Sequence, residues 1–215
     1  MNYPILYSFK RCPYAMRARI ALKLADIKCE IREVRLNNKP GHMLKISPKG
    51  TVPVLILENR VIDESIEIID WVLENNQIFD GNLSDINIKL TEETINIFDK
   101  QFKYHLDRYK YSTRYKDIDV QDHQKQCMSI LKSLDMKIAN SRWLIGDNLN
   151  KLDISILPFI RQFRIADTQW FDEQKEIKSV QRVLNNFLES ELFEDVMFAY
   201  DEWKEESKVV FFPNK

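Results

Sequence analysis

Glycine and proline are scarce in this chain, with 4 and 7 among 215 residues, which argues against collagen-like repeats, low-complexity sequence and long disordered linkers. No apolar run approaches the roughly 20 residues of a membrane-spanning helix. A signal peptide begins with a basic stretch that is followed by apolar residues, and here no basic stretch precedes the first apolar residues. With 32 basic and 33 acidic residues the formal net charge is −1, so no overall field favours nucleic acid or an anionic membrane. We therefore expect a cytoplasmic protein with neither a nucleic-acid nor a membrane partner.

Cysteine is also sparse, with three residues at positions 12, 29 and 127. An odd number at wide spacing fits a reducing compartment better than a disulfide framework, and it offers no zinc-binding pattern. The three histidines share no spacing that indicates a metal site either, so we expect no metal cofactor. Cys29 and Cys127 are predicted to be structural.

Cys12 stands where its chemistry would differ from that of an ordinary thiol. A strand-like stretch is followed by Lys10 and Arg11, then by Cys12, and then by Pro13, which can begin a helix because its missing N–H would be unpaired there anyway. The sulfur therefore lies at a predicted helix N-terminus, where unpaired N–H groups and the helix dipole favour negative charge. Such surroundings can lower a thiol pKa from its ordinary value of about 8.5. We predict a thiolate nucleophile, the alternative being a small buried apolar residue.

The first 77 residues alternate between strand and helix patterns. Strands are predicted at residues 3–8, 30–36, 52–57 and 61–62, and helices at residues 14–25 and 65–73. The first three elements form a β-α-β unit, whose strands should be parallel. The order β-α-β followed by β-β-α predicts a thioredoxin-like α/β domain over residues 1–77.

A polar segment at about residues 76–87 reads as a linker, and helical periodicity dominates after it. Residues 88–215 are therefore predicted to form an all-α domain, with helices at residues 90–111, 121–140, 154–165, 180–188 and 192–203. Asn150 and Asp153 have the spacing of a helix cap followed by an acid three residues later. The apolar run Val209–Phe212 is expected to be an exposed tail or a strap over the helical domain.

Three further polar features lie in the first domain. Lys39 occupies the loop after the second strand, although a solvated loop charge is its ordinary interpretation. Val52 and Pro53 precede the third strand, and a cis bond between them would turn the backbone of Val52 towards a ligand. Glu64 and Ser65 open a helix whose N–H groups can bind a carboxylate, although they also suit simple capping.

Together these motifs resemble the cytosolic glutathione transferases, particularly the cysteine-type, omega-like members and their bacterial relatives. The resemblance implies a homodimer that uses glutathione as co-substrate. It also implies that Cys12 faces the glutathione sulfur, and that a helical domain supplies most of the second-substrate site. The implied glutathione contacts are Lys39 at the glycyl end, the Val52 backbone (in Val52-Pro53) at the cysteinyl portion, and Glu64 with Ser65 at the γ-glutamyl group. Phe9 and Tyr14 are expected to flank the second-substrate pocket.

The resemblance also favours one reaction over others. A cysteine forms mixed disulfides well, so we expect glutathione-dependent thiol transfer to a small or protein acceptor. Position 15 is Ala, so no neighbouring cysteine can resolve the adduct. The alternatives are a conjugating transferase, a dehalogenase or an isomerase on the same fold, or a non-enzymatic regulator, because a fold does not determine its reaction.

Overall fold

The computed structural model describes residues 3–81, 83–138 and 140–214 of the chain. These residues form two compact units. The first contains residues 3–78 together with residues 189–214, and the second contains Phe79–Leu188. The units differ from the predicted domains 1–77 and 88–215 at the C-terminal end, because the last residues of the chain pack with the first unit.

The secondary structure is mixed in the first unit and helical in the second. The strands are β1 Ile5–Ser8, β2 Cys29–Glu33, β3 Val54–Ile56, β4 Val61–Ile62 and β5 Phe211–Phe212. The α-helices of the described residues are α1 Pro13–Leu24, α2 Gly41–Ile46, α3 Ser65–Asn75, α4 Asp85–Ile97, α5 Lys103–Lys110, α6 Val120–Asp135, α7 Lys151–Arg164, α8 Thr168–Asp172, α9 Lys178–Leu188 and α10 Glu191–Val196.

The strands of the first unit form one mixed sheet in the order β4-β3-β1-β2-β5. β1 and β2 are parallel, with Tyr7 opposite Arg32, and the other neighbouring pairs are antiparallel. The parallel pair is connected by α1, which packs against α3. The predicted thioredoxin-like arrangement is confirmed.

The helix α1 is buried along almost its whole length. Its apolar residues include Ala15, Met16 and Ile20, all inaccessible to solvent. Arg17 and Arg19 on the same helix are also wholly buried. Because an arginine is rarely fully buried unless it is paired, both side chains need polar partners inside the unit.

The C-terminal segment corrects the sequence-based expectation. β5 pairs antiparallel with β2, Cys29 lying opposite Phe212, so Phe211–Phe212 belongs to the sheet of the first unit. Val209 and Val210 before it are exposed, and the end of the run is a sheet strand rather than a tail. The helix predicted at 192–203 ends at Val196, and α10 packs against α1. The short elements α2, α8 and β5 were not predicted.

The second unit encloses an aromatic core. A π-helical turn at Phe98–Phe102 joins α4 to α5, so the helix predicted at 90–111 is a helical stretch with one widened turn. The rings of Phe98 and Phe102 stack with centroids 4.5 Å apart, and Phe163 of α7 meets Phe102 edge-on at 5.8 Å. The predicted cap of α7 is confirmed as a complete capping box of Asn150 and Asp153.

Candidate active site

Cys12 is the N-cap residue of α1. Its backbone is extended, with φ −78° and ψ 124°, and Pro13 begins the helix directly after it. The Cys12 carbonyl accepts the first helical hydrogen bond, from the Met16 N–H at 2.9 Å, and the Cys12 N–H donates to the Phe9 carbonyl at 2.9 Å. The sulfur is half-buried, and the thiol donates to the Val52 carbonyl oxygen at 3.7 Å. The thiol thus stands at the start of a helix, as predicted, and beside Val52.

The other two cysteines lie in the cores of their units. Cys29 and Cys127 are inaccessible to solvent. Burial, followed by the charge of Glu30, raises the pKa of Cys29 to about 12. Burial also raises the pKa of Cys127. A raised pKa favours the protonated thiol at neutral pH. Because only the thiolate is a good nucleophile, neither residue is expected to be reactive.

Val52 lies in a turn that the chain needs glycine to make. Gly50 has φ +61°, a left-handed conformation that costs glycine little. The Val52–Pro53 bond is cis, as predicted, and the Val52 side chain is buried. Lys39 folds back over this turn, since its Nζ lies 3.6 Å from the position that a Cβ on Gly50 would take. The fold therefore brings Lys39 to the segment that carries Val52.

The start of α3 carries a charged cluster of three residues. Lys49 Nζ lies 2.9 Å from Asp63 Oδ1 and 2.6 Å from Glu64 Oε1, and Ser47 Oγ donates to Asp63 Oδ2 at 2.7 Å. Partial burial would raise the pKa of Asp63, but the hydrogen bonds from Lys49 and Ser47 outweigh it and hold that pKa below its usual value. Hydrogen bonds to Glu64 and then Asp63 raise the pKa of Lys49. Glu64 is the N-cap residue of α3, yet its side chain makes no capping hydrogen bond.

Ser65, the first residue of α3, accepts a hydrogen bond from a side chain of α1. It is 3 % exposed, and the buried Arg17 donates from Nη1 to Ser65 Oγ at 3.4 Å. A guanidinium under the first turn of a helix adds positive potential to the helix N-terminus, so the start of α3 is suited to an anionic group.

Phe9 and Tyr14 flank the turn that carries Cys12. Phe9 packs at the edge of the sheet core, with the Arg11 guanidinium 5.5 Å from its ring centroid. Tyr14 is half-buried, and its ring lies 5.4 Å from the Arg17 guanidinium carbon. Both rings are near Cys12 in the chain, and their part in a second-substrate pocket stays a prediction.

Sequence reasoning missed the polar residues that support the site. Arg17 and Lys49 contact Ser65 and Glu64, but an isolated cation in a sequence is ordinarily a solvated one. The available signal was the position of Arg17 on the face of α1 that also carries apolar residues. The sequence also gave no indication of the contact between His105 and His123, whose Nδ1 atoms lie 2.8 Å apart although 18 positions separate the two residues. Within the described ranges, no group of three or more potential ligand residues is arranged for a metal ion. Nor is any helix in the described part of the chain long and apolar enough to cross a membrane.

The fold and the site define a thioredoxin-like domain, with a thiol at a helix N-terminus, joined to a helical unit. Residues 6–78 match the family model described as Glutathione S-transferase, N-terminal domain. The probable glutathione S-transferase parA of Nicotiana tabacum is 28% identical over 173 residues, which cover 78% of this chain and 76% of that protein. The probable glutathione transferase of Aplysia californica is 34% identical over 65 residues, 30% of this chain and 71% of that protein. Glutathione S-transferase omega-2 of Rattus norvegicus is 39% identical over 80 residues, 34% of this chain and 32% of that protein.

Among solved structures, the fold is similar to that of a glutathione transferase family member from Pseudomonas fluorescens pf-5 with two glutathione bound. The TM-score is 0.79 at 16% identity, with 91% of this chain and 92% of that chain covered. This chain belongs to the glutathione transferase family and has the fold of that family.

Proposed function

We propose that this protein is a cysteine-type, omega-like glutathione transferase that transfers thiols through Cys12. The observation that carries the proposal is the half-buried Cys12 thiol at the N-cap of α1, in a chain whose other two cysteines are buried. A thiol at that position is chemically suited to thiol–disulfide exchange, which requires an accessible thiolate. A local match to glutathione S-transferase omega-2 over 34% of this chain agrees with this subclass, whereas the matches that cover more of the chain are to plant glutathione S-transferases.

The proposed cycle has two exchange steps. The Cys12 thiolate attacks the glutathione sulfur of a mixed disulfide between glutathione and an acceptor, and the acceptor leaves as its thiolate and takes up a proton. A second glutathione, as thiolate, then attacks the glutathione sulfur of the Cys12 adduct. The products are glutathione disulfide and the restored Cys12 thiolate, so electrons and atoms balance. Glutathione is the resolving thiol because the other two cysteines, Cys29 and Cys127, are inaccessible to solvent.

Glutathione binding in this proposal uses the residues around Cys12. Lys39 would meet the glycyl carboxylate, the Val52 backbone before Pro53 would pair with the cysteinyl portion, and Glu64 with Ser65 would hold the γ-glutamyl group. The contacts that support this assignment are Lys39 against the Gly50 turn and Arg17 under Ser65. The Pseudomonas fluorescens protein of the same fold has two glutathione bound.

The remaining expectations also belong to the proposal. Conjugation, dehalogenation and isomerisation are the enzymatic alternatives, and they depend on the second-substrate site, for which Phe9 and Tyr14 are proposed. A non-enzymatic regulator is the less favoured alternative, because Cys12 and the proposed glutathione contacts are all present in one sequence. A cytoplasmic homodimer acting on a small or protein disulfide completes the proposal.

The substitution Cys12→Ser tests the proposed reaction. A hydroxyl is close in size to a thiol but far less nucleophilic, so we expect the variant to lose disulfide-reductase turnover and to retain its fold and its glutathione affinity. Treatment with oxidised glutathione followed by mass spectrometry should place the adduct on Cys12 in the unmodified protein. Cys127→Ala is the matched control, since it removes a buried thiol and should leave turnover unchanged.

Conjugation of an aryl halide, assayed in parallel, separates the alternatives. Thiol transfer as the main reaction predicts a disulfide-reductase rate that depends on Cys12 and exceeds the conjugation rate. Full disulfide-reductase activity in Cys12→Ser would refute the proposal.

A further inference from the structure

The turn that carries Cys12 is held by a buried arginine. Arg19 lies on α1 and is inaccessible to solvent. Its Nη2 donates to the Lys10 carbonyl oxygen at 2.7 Å, and its Nη1 donates to Ser8 Oγ at 3.1 Å. The planar guanidinium thus ties the end of β1 to the residue two positions before Cys12.

The N–H group of the same residue, Lys10, is held by a carboxylate. Glu33, the last residue of β2, accepts the Lys10 N–H on Oε1 at 2.5 Å, and its Oε2 lies 3.8 Å from Arg19 Nη1. Burial raises the pKa of Glu33, while the hydrogen bond from Lys10 and the charge of Arg19 act in the opposite direction. Lys10 is therefore fixed through both its N–H and its carbonyl group.

Glu33 is itself anchored by the C-terminal segment. The Trp203 N–H donates to the Glu33 carbonyl oxygen at 2.8 Å, and Glu202 forms an ion pair with Arg35 at 2.8 Å. The end of β2 is thereby held by the C-terminal segment, and the Glu33 side chain extends from a backbone whose carbonyl group is hydrogen-bonded to Trp203.

We propose that Arg19 and Glu33 are positioning residues that hold the Lys10–Cys12 turn so that the Cys12 sulfur stays at the N-terminus of α1. Lys10 lies within the turn that the Cys12 N–H closes on the Phe9 carbonyl, so a displacement of Lys10 is transmitted to the N-cap residue. Burying an ion pair is costly compared with packing apolar groups of the same volume. Because the pair binds both the N–H and the carbonyl group of Lys10 in the cysteine turn, we assign it a geometric role.

The catalytic meaning of this inference rests on the proposed function, but its first test does not. Iodoacetamide alkylation of Cys12, followed by mass spectrometry of the Cys12 peptide, reports the reactivity of the thiolate without glutathione, since the sulfur displaces iodide. Arg19→Lys keeps the positive charge but presents a single ammonium that cannot donate to Ser8 and Lys10 in the fork geometry of arginine. We expect alkylation at pH 7 and disulfide-reductase kcat/KM to fall by about tenfold to a hundredfold, with an unchanged Kd for glutathione. The midpoint of the alkylation pH profile should move to higher pH.

The matched control is Lys23→Met, which removes an ion pair between α1 and Asp195, 2.8 Å apart, that does not involve the cysteine turn. It should react as the unmodified protein does. Glu33→Gln retains an oxygen acceptor for the Lys10 N–H but loses the charge. We therefore expect its alkylation rate and kcat/KM to fall less than those of Arg19→Lys. Circular dichroism checks folding, and Glu33→Gln serves as the test variant if Arg19→Lys does not fold.

An alkylation rate and pH profile in folded Arg19→Lys equal to those of the unmodified protein would overturn the positioning role. If Arg19→Lys does not fold, the same result in folded Glu33→Gln would overturn it. Retained turnover in Cys12→Ser would instead refute the proposed function. The alkylation rates of Arg19→Lys and Glu33→Gln would still measure the effect of these two residues on the Cys12 thiol.

Discussion

Single side chains at the start of α3 determine the charge at that end of the helix. Asp63 and Glu64 bring two carboxylates to this helix, and Lys49 contacts both of them. Ser65 is buried, and the Arg17 guanidinium donates a hydrogen bond to its hydroxyl oxygen. Because the γ-glutamyl group of glutathione carries both an ammonium and a carboxylate, a carboxylate side chain beside a helix N-terminus offers one partner to each charge.

Ser65→Ala should weaken glutathione binding by roughly 1–3 kcal/mol, because a hydrogen bond to a charged group is lost. Glu64→Gln should have a similar effect through the ligand's ammonium. The affinities are measured by isothermal titration calorimetry. Glu67→Gln is the control, since Glu67 is exposed in the first turn of α3 and has no proposed contact with glutathione. Unchanged dissociation constants for both Ser65→Ala and Glu64→Gln would contradict this γ-glutamyl site.

At the scale of one element, α7 shows how a buried helix end is satisfied. Asn150 accepts the Leu152 N–H at 2.9 Å. Asp153 accepts the N–H groups of Asn150 and Leu144, each at 2.9 Å. Most of α7 is buried, so these N–H groups have no access to water and need protein acceptors.

Asp153→Ala should destabilise the second unit by roughly 1–3 kcal/mol for each buried N–H that is left without an acceptor. Burial raises the pKa of Asp153 to about 7, despite the backbone hydrogen bonds that act against it. A carboxyl whose pKa is higher in the folded state contributes less stability as the pH rises from about 4 to about 7. The decrease in the free energy of unfolding caused by Asp153→Ala, measured by urea denaturation, should therefore be larger at pH 5 than at pH 8.

Ser84→Ala provides the comparison for a cap in solvent. Ser84 accepts the Asn87 N–H at 3.3 Å at the exposed start of α4, so its loss should cost only about 0.5–1 kcal/mol. Equal losses for Ser84→Ala and Asp153→Ala would show that burial of the α7 cap does not control its contribution.

At the scale of the whole molecule, a histidine contact should affect the dependence of stability on pH. His105 of α5 and His123 of α6 have their Nδ1 atoms 2.8 Å apart, within hydrogen-bond distance. Burial, then the charge of His123, lowers the pKa of His105. Arg108 acts in the same direction, whereas Asp122 opposes it.

A histidine whose pKa is lower in the folded state contributes stability that is complete above its unfolded pKa of about 6.5 and is lost as the pH falls below it. We expect the unmodified protein to lose more stability between pH 7 and pH 5 than His105→Gln does, as measured by the midpoint of urea denaturation. His42→Gln alters a histidine that bonds Tyr7 in the first unit, and it should retain the pH response of the His105 pair. The same pH response in His105→Gln as in the unmodified protein would refute this effect.

Local sequence patterns were sufficient for the features that depend on neighbours in the chain. The order of strands and helices predicted the thioredoxin-like arrangement, and Pro13 predicted a helix that begins directly after Cys12. Asn150 and Asp153 predicted the cap of α7, because a capping box is formed by residues three positions apart. These interactions are short in sequence, so the residue types alone specify them.

The tertiary structure decided which distant residues support these local features. The sequence alone determined a thiol at a helix N-terminus and two kinds of secondary structure. Only folding placed Phe212 beside Cys29, Lys49 beside Glu64, and Glu33 on the peptide of Lys10. Such contacts depend on the register of the sheet and on the burial of charged side chains against partners far along the chain. No local periodicity encodes them, because the free energy that selects them arises only when the separate elements pack together.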